Sequence, residues 1–208
     1  PVVSLVSQVV VSEDDDAFQD PTKPIGPFYS SEESEELERS KGWVMKKDAG
    51  GRGYRRVVAS PTPKEIVEAG IISSLVAKGT IVIAVGGGGI PVVRRDGKLE
   101  GIEAVIDKDR AASALASGIG AEKLIILTNV EQVYVDFGKP EQVGLGRIGV
   151  SEIRKLYEAY EFPAGSMGPK IRAAIDFVEA GGKMAIITHS ETLREAVEGK
   201  VGTSIVPD

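Results

Sequence analysis

Two lysines and the aspartates around one of them are the residues of this sequence best placed to do chemistry. Lys108 stands between Asp107 and Asp109 where an apolar strand gives way to a helical pattern, and Lys170 falls in the first turn of a helix that follows Gly165-Ser166-Met167-Gly168-Pro169. A helix N-terminus carries partial positive charge and favours anions, so a lysine placed there is locally unfavourable unless a negative group sits beside it. Two such ammonium groups facing one point, fixed by a carboxylate from Asp107 or Asp109, would neutralise the charge on a phosphoryl group in transfer. The competing reading is a pair of surface lysines in ion pairs worth at most ~1 kcal/mol each.

The stretch 80–110 positions the first of these lysines. Ile81 to Val85 is a continuous β-branched and apolar run read as a buried strand, and it breaks into Gly86-Gly87-Gly88-Gly89. Glycine tolerates φ > 0 and lets a ligand approach the backbone, and consecutive amides can form a nest for an anion. Tight helix-on-strand packing would use the same residues. After Ile90-Pro91 a hairpin is expected around Asp96-Gly97, and a helix from Lys108 to Ser117.

Composition narrows the class. The chain has 208 residues, 42% apolar and 27% charged, as in an ordinary globular protein, and its net charge of -6 argues against a nucleic-acid partner. With no cysteine and one histidine, His189, thiolate and three-histidine metal sites are excluded. No apolar run reaches the ~18 residues of a bilayer span. His189 follows an apolar strand, lacks a nucleophile partner, and reads as mostly structural, with a place near a nucleotide as the alternative. Neither a dinucleotide-binding glycine fingerprint nor a Walker loop is present.

Three regions are expected. Residues 1–11 read as a core strand from the first residue, the remnant of an N-terminal sheet. Residues 12–60 read as a protruding lid. Its segment Pro21 to Tyr29, stiffened by three prolines around Lys23, reads as an ordered loop, with a solvated linker as the alternative. An acidic helix from Ser30-Ser31 to about Lys41 and a hairpin, 43–47 with 54–58, complete it. Arg52, Arg55 and Arg56 line an anion route or simply a solvated hairpin. Residues 61–208 read as an α/β nucleotide-binding domain. A helix is expected from Pro61 to about Gly79, and covered strands at 124–128 and 183–189. The fold class is a three-layer α/β/α sandwich with a mainly parallel sheet, whose strand ends at Gly86–Gly89, Thr128-Asn129 and Thr188-His189 should converge with the loop before Lys170.

Four segments carry a family resemblance: PTKPIGPFY at 21–29, AVGGGGIPV at 84–92, AVIDKD at 104–109 and AGSMGPK at 164–170. They resemble the carbamate kinases, within the amino acid kinase family. The resemblance implies reversible phosphoryl transfer between carbamoyl phosphate with ADP and carbamate with ATP, in a cytoplasmic homodimer. It implies that Lys108 and Lys170 contact the transferring group, that Asp107 holds the lysines, and that Lys23 comes down from the lid. Gly86, Gly87 and Gly88 would form the phosphate floor, and Thr128, Val130, Tyr134, Met167 and Gly168 would surround the nucleotide. Magnesium would be held mainly by the nucleotide phosphates. The resemblance covers the last two thirds of such proteins, so an N-terminal substrate-binding portion is expected to lie outside this sequence. Another phosphotransferase of the family, acting on a carboxylate or nucleoside monophosphate, a nucleotide-sensing domain without turnover, and a purely structural α/β domain are the alternatives.

Overall fold

The computed structural model describes residues 1–48, 50–159, 162 and 166–208. In chain order its elements are β1 (Val2–Ser4), β2 (Gln8–Val10), β3 (Lys23–Tyr29), α1 (Ser31–Lys41), β4 (Val44–Lys47), β5 (Tyr54–Val58), β6 (Glu65–Ile66), α2 (Ala69–Ala77), β7 (Ile81–Ile83), β8 (Ile90–Arg95), β9 (Lys98–Gly101) and α3 (Lys108–Gly118). There follow β10 (Lys123–Thr128), β11 (Val133–Val135), β12 (Val143–Leu145), β13 (Arg147–Gly149), α4 (Val150–Ala159), α5 (Met167–Glu179), β14 (Met184–His189), α6 (Leu193–Val197) and β15 (Thr203–Val206).

The chain is a mixed α/β fold. Parallel pairs β1–β7, β2–β8, β10–β14 and β13–β15 run through it, with β6, β9 and the β14–β15 contact antiparallel. Strand β14 is covered on both faces. Ala185 and Ile187 join the core formed with α4 and α5, while Ile186 on the opposite face is equally buried and α6 packs on the strand. A second core of Val9, Val11, Ile66, Val85, Val93, Ile106 and Ala111 lies beneath the glycine stretch. Helix α3 serves both, with Ala111 in one core and Ala116 in the other. Its alanine-rich sequence is what allows packing on two sides.

Residues 12–60 fold around an antiparallel sheet in the order β3-β5-β4 with α1 beside it. Ser30 caps α1 by accepting the Glu33 amide, and the Glu33 carboxylate accepts the Ser30 amide in return. Gly42, at φ 64°, ends the helix. The stretch expected as a loop is instead the edge strand β3, whose register with β5 is interrupted between Ile25 and Tyr29. An edge position and that irregularity are what make prolines at 24 and 27 tolerable.

Four other expectations fail for physical reasons. The opening strand is broken between Ser4 and Gln8 into β1 and β2. The helix expected from Pro61 begins at Ala69. Residues that precede proline are pushed out of the helical region, as Ser60 and Thr62 are here, and the chain stays extended to form β6 against β2. The run 81–85 is not a buried strand throughout, because Ile81 and Ile83 are 66% and 57% exposed and Val85 turns into left-handed backbone at φ 49°. Strand β10 alternates, with Leu124 and Ile126 buried and Ile125 and Leu127 exposed.

Candidate active site

The first turn of α3 gathers the charged residues. Asp107 is its N-cap: Oδ1 accepts the amides of Asp109 at 2.9 Å and Arg110 at 3.2 Å, satisfying two donors that the helix leaves open. Its other oxygen, Oδ2, accepts from Lys23 Nζ of β3 at 2.6 Å, across 84 residues of chain. Burial by itself raises the Asp107 carboxyl, but the Lys23 hydrogen bond and charge together with the two amides outweigh it and hold the group below the usual carboxylate range.

Asp109, two residues on, points elsewhere. Its Oδ2 receives Lys170 Nζ at 2.8 Å, and Lys108 Nζ lies 3.7 Å from the same oxygen. Both ammonium groups therefore sit at one carboxylate oxygen, far closer together than the ~10 Å within which two cations act on a common anion. The Asp109 and Lys170 side chains are each only 10% exposed, whereas Lys108 is 64% exposed. Lys170 reaches this point because α5 packs along α3, with Ile171, Ala174, Ile175 and Val178 turned into the core. The carboxylate between the lysines is thus Asp109. Asp107, expected to hold the lysines, holds only Lys23, because capping α3 occupies its inward oxygen.

The glycine stretch meets the same turn. Residues Gly86–Gly88 form one turn of 3-10 helix with Gly87 at φ 67° and Gly88 at φ 106°. A Cβ on Gly88 would fall on the Ile106 carbonyl oxygen, whereas one on Gly86 or Gly87 would meet no atom within 4 Å. Gly88 is therefore a packing glycine, and Gly86 and Gly87 face open space beside the start of α3.

Thr128 and His189 end adjacent parallel strands as register partners. His189 Nδ1 accepts the Glu191 amide, a capping role in accord with its structural reading. Val130 lies in the turn after β10 and Tyr134 on β11, its ring 5.7 Å from that of Phe137. Met167 packs against the core of α5 and Gly168 is buried in the first turn of that helix. Ala164 and Gly165 of the motif before Lys170 lie outside the described residues. The arginines of the 12–60 sheet are engaged locally: Arg52 and Arg55 stand over Phe28 and Arg56 over Trp43, which favours the solvated hairpin over an anion route. Among the described residues no group of three or more histidines or acids is placed to hold a metal ion, and the acids nearest the lysines are already ion-paired.

Residues 31–189 match the amino acid kinase family. The chain belongs to that family. Relatives within it include the carbamate kinase of Pyrococcus furiosus, 52% identical over 99% of this chain and 65% of that protein. The carbamate kinase of Thermoplasma volcanium is 53% identical over 99% of this chain and 67% of its own length. Among solved structures, carbamate kinase from Giardia lamblia bound to AMP-PNP superposes with a TM-score of 0.88 at 45% identity, covering 100% of this chain and 66% of that one. The same enzyme bound to citric acid gives a TM-score of 0.91 over 65% of its length. This amino acid kinase family chain thus spans about 65% of the length of the curated relatives it matches.

Their placement at helix starts singled out Lys108 and Lys170 in the sequence, and the family resemblance pointed to Lys23. The choice between Asp107 and Asp109 stayed open, and Asp15, Thr62 and Arg110, which tie the base of the 12–60 segment to α3, were missed. The available signal was the N-cap rule, since an aspartate that caps a helix has one oxygen committed to backbone.

Proposed function

We propose that this chain carries the nucleotide and phosphoryl-transfer machinery of a carbamate kinase, which passes a phosphoryl group between carbamoyl phosphate and ADP to give carbamate and ATP. The observation that carries the reading is the pair of ammonium groups, Lys108 and Lys170, on one oxygen of Asp109 beside open glycine backbone. The similarity to carbamate kinases at about half identity across the chain supports this substrate over other acyl phosphates.

In the direction of ATP formation an ADP β-phosphate oxygen attacks phosphorus. The bond from phosphorus to the carbamoyl oxygen breaks, and its electron pair leaves on carbamate. Nucleophile and leaving group are both anionic at neutral pH, so no general base is needed and catalysis is positioning and charge neutralisation. Lys108 and Lys170 meet the equatorial oxygens, and Asp109 keeps their ammonium groups at fixed separation. Lys23, steadied by Asp107, covers the acyl phosphate from the lid. Gly86, Gly87 and Gly88 form the floor, with amides of Gly86 and Gly87 open to phosphate. Thr128, Val130, Tyr134, Met167 and Gly168 surround the nucleotide. Magnesium carried on the nucleotide phosphates would add neutralising charge there.

On this reading the protein works in the cytoplasm as a homodimer, and residues 12–60 act as a lid over a nucleotide domain. The additional length of its relatives corresponds to an N-terminal portion that packs on the exposed apolar surface at Val2, Ile81, Ile83 and Leu127. A coupled assay for ATP from carbamoyl phosphate and ADP tests the assignment, on the full-length protein and on its Lys170→Ala variant, the 208 residues alone being expected to turn over poorly. A loss of at least ~100-fold in the variant is expected for removal of a transition-state donor. Near-normal turnover of Lys170→Ala, or turnover confined to another acyl phosphate, would overturn it.

A further inference from the structure

Lys23 is carried on β3, and a second set of contacts joins the base of the 12–60 segment to α3. The chain leaves the body for the lid after β2 and returns before β6. On the way out, Asp15 accepts the Ala17 amide at 3.0 Å, and its second oxygen accepts the amide of Thr62, on the way back, at 2.9 Å. The Thr62 hydroxyl accepts Arg110 Nη2 at 2.6 Å. Burial raises the Asp15 carboxyl, but these amides, the hydroxyl and the Arg110 charge outweigh it and hold the group below its ordinary range.

Arg110 belongs to the first turn of α3, and its own amide donates to Asp107, the residue that grips Lys23. The contacts close a ring: lid root to Arg110, Arg110 to Asp107, Asp107 to Lys23, and Lys23 back to the lid through β3. The Arg110 guanidinium holds its position although its buried Nε has no hydrogen-bond partner. An unmet buried donor is costly. Its orientation is fixed by the hydrogen bond to Thr62, with the Asp15 carboxylate nearby, and not by full satisfaction of the arginine.

We propose that Thr62 and Arg110 are positioning residues that set the lid angle, and so the reach of Lys23, through the relay from Arg110 to Thr62 to Asp15. The proposal rests on the reading of Lys23 as a ligand of the acyl phosphate. None of the three residues is placed to touch the phosphoryl group, and they act through Lys23.

The chain has no cysteine, so two can be introduced cleanly. Spin labels at Glu35→Cys on α1 and Glu152→Cys on α4 report the lid-to-body distance by pulsed electron resonance. Thr62→Val, which keeps shape and removes the hydroxyl, should broaden that distribution, as should Arg110→Met, whereas Thr62→Ser should match the parent. A Thr62→Val distribution equal to the parent, or a Thr62→Ser distribution as broad as that of valine, overturns the proposal. In turnover, Thr62→Val should lower kcat/KM for carbamoyl phosphate about 10-fold, the usual effect of losing one hydrogen bond to a charged group, and leave the KM for ADP unchanged. In a Lys23→Ala background it should cost nothing further. A full additional loss in that background would show that Thr62 acts on the fold at large and would overturn the proposal. Turnover is read in the full-length protein, and its absence there would instead overturn the carbamoyl phosphate reading, while the distance distributions would still decide the relay.

Discussion

Lys170→Met isolates the energetics of the buried pair. Asp109 and Lys170 are each 10% exposed and 2.8 Å apart, and among the described residues the other cation at that oxygen is Lys108, at 3.7 Å and 64% exposed. Removing one partner of a buried pair strands the other charge and costs ~3–5 kcal/mol. Here Lys108 can shift towards Asp109 and water can reach it from that side, so the lower end, about 3 kcal/mol, is the expected loss. Asp109→Asn alone strands the buried lysine and should cost about as much. The double variant strands neither, and should lose only about 1–2 kcal/mol, far less than the two single losses together.

Urea unfolding followed by far-ultraviolet circular dichroism at neutral pH measures all three. Additive losses would refute the argument that the pair is held by its own internal neutralisation. Ligand binding separates this from catalysis. Asp109→Asn leaves two unneutralised lysines, so ADP should bind at least as tightly, while phosphoryl transfer falls at least ~100-fold because the lysines are no longer fixed. Weaker ADP binding would place Asp109 in nucleotide contact and not between the lysines.

Gly86→Ala should leave stability within about 0.5 kcal/mol, since its Cβ meets open space, but weaken ADP binding at least ~10-fold if phosphate lies on that backbone; unchanged titration would remove Gly86 from the floor. Gly88→Ala should unfold or strongly destabilise the chain, because φ is 106° and its Cβ strikes the Ile106 carbonyl. Asp107 has a folded carboxyl below the unfolded value, so it contributes stability above about pH 4 that is lost as pH falls through the folded value. Lys23→Met removes the chief cause of that depression, and should flatten the acid limb of urea midpoints below about pH 4; parallel curves would contradict the ion pair. Ser30→Ala breaks the capping box of α1 and should speed amide exchange in that helix by the ~1 kcal/mol of a lost cap, with the cores unaffected.

Elements whose signals are local were legible in sequence. The limits of α1 follow from Ser30, Glu33 and Gly42, and the Asp96-Gly97 turn between β8 and β9 follows from two residues able to take positive φ. Burial was less legible. Apolar runs without alternation at 81–83 and 124–127 look covered on both faces, but whether a face is covered depends on what packs there, and in this chain Ile81, Ile83, Ile125 and Leu127 remain open. The start of α2 was misplaced because proline favours a first helical turn yet disfavours helix in the residue before it, and two closely spaced prolines make the second effect win. The lysines stood out because each opposes a helix dipole. The lid-root relay did not, because its contacts join Thr62 to residues 47 and 48 positions away and no local pattern marks such a pair.

The division of labour between Asp107 and Asp109 follows from helix geometry. A residue at the N-cap turns its side chain back over the helix end, so Asp107 spends Oδ1 on two amides and offers only Oδ2, which meets Lys23 of β3. Two positions later the side chain projects sideways, and Asp109 meets the neighbouring helix. Three ammonium groups therefore share two carboxylates, which leaves one positive charge unmet at a point where α3 and α5 also begin. Neutral pairing would have made a stable but inert ion cluster. The unmet charge, added to two helix N-termini, is what a bound phosphate would complete, and it explains why Lys108, the most exposed of the three, makes the longest contact in the group.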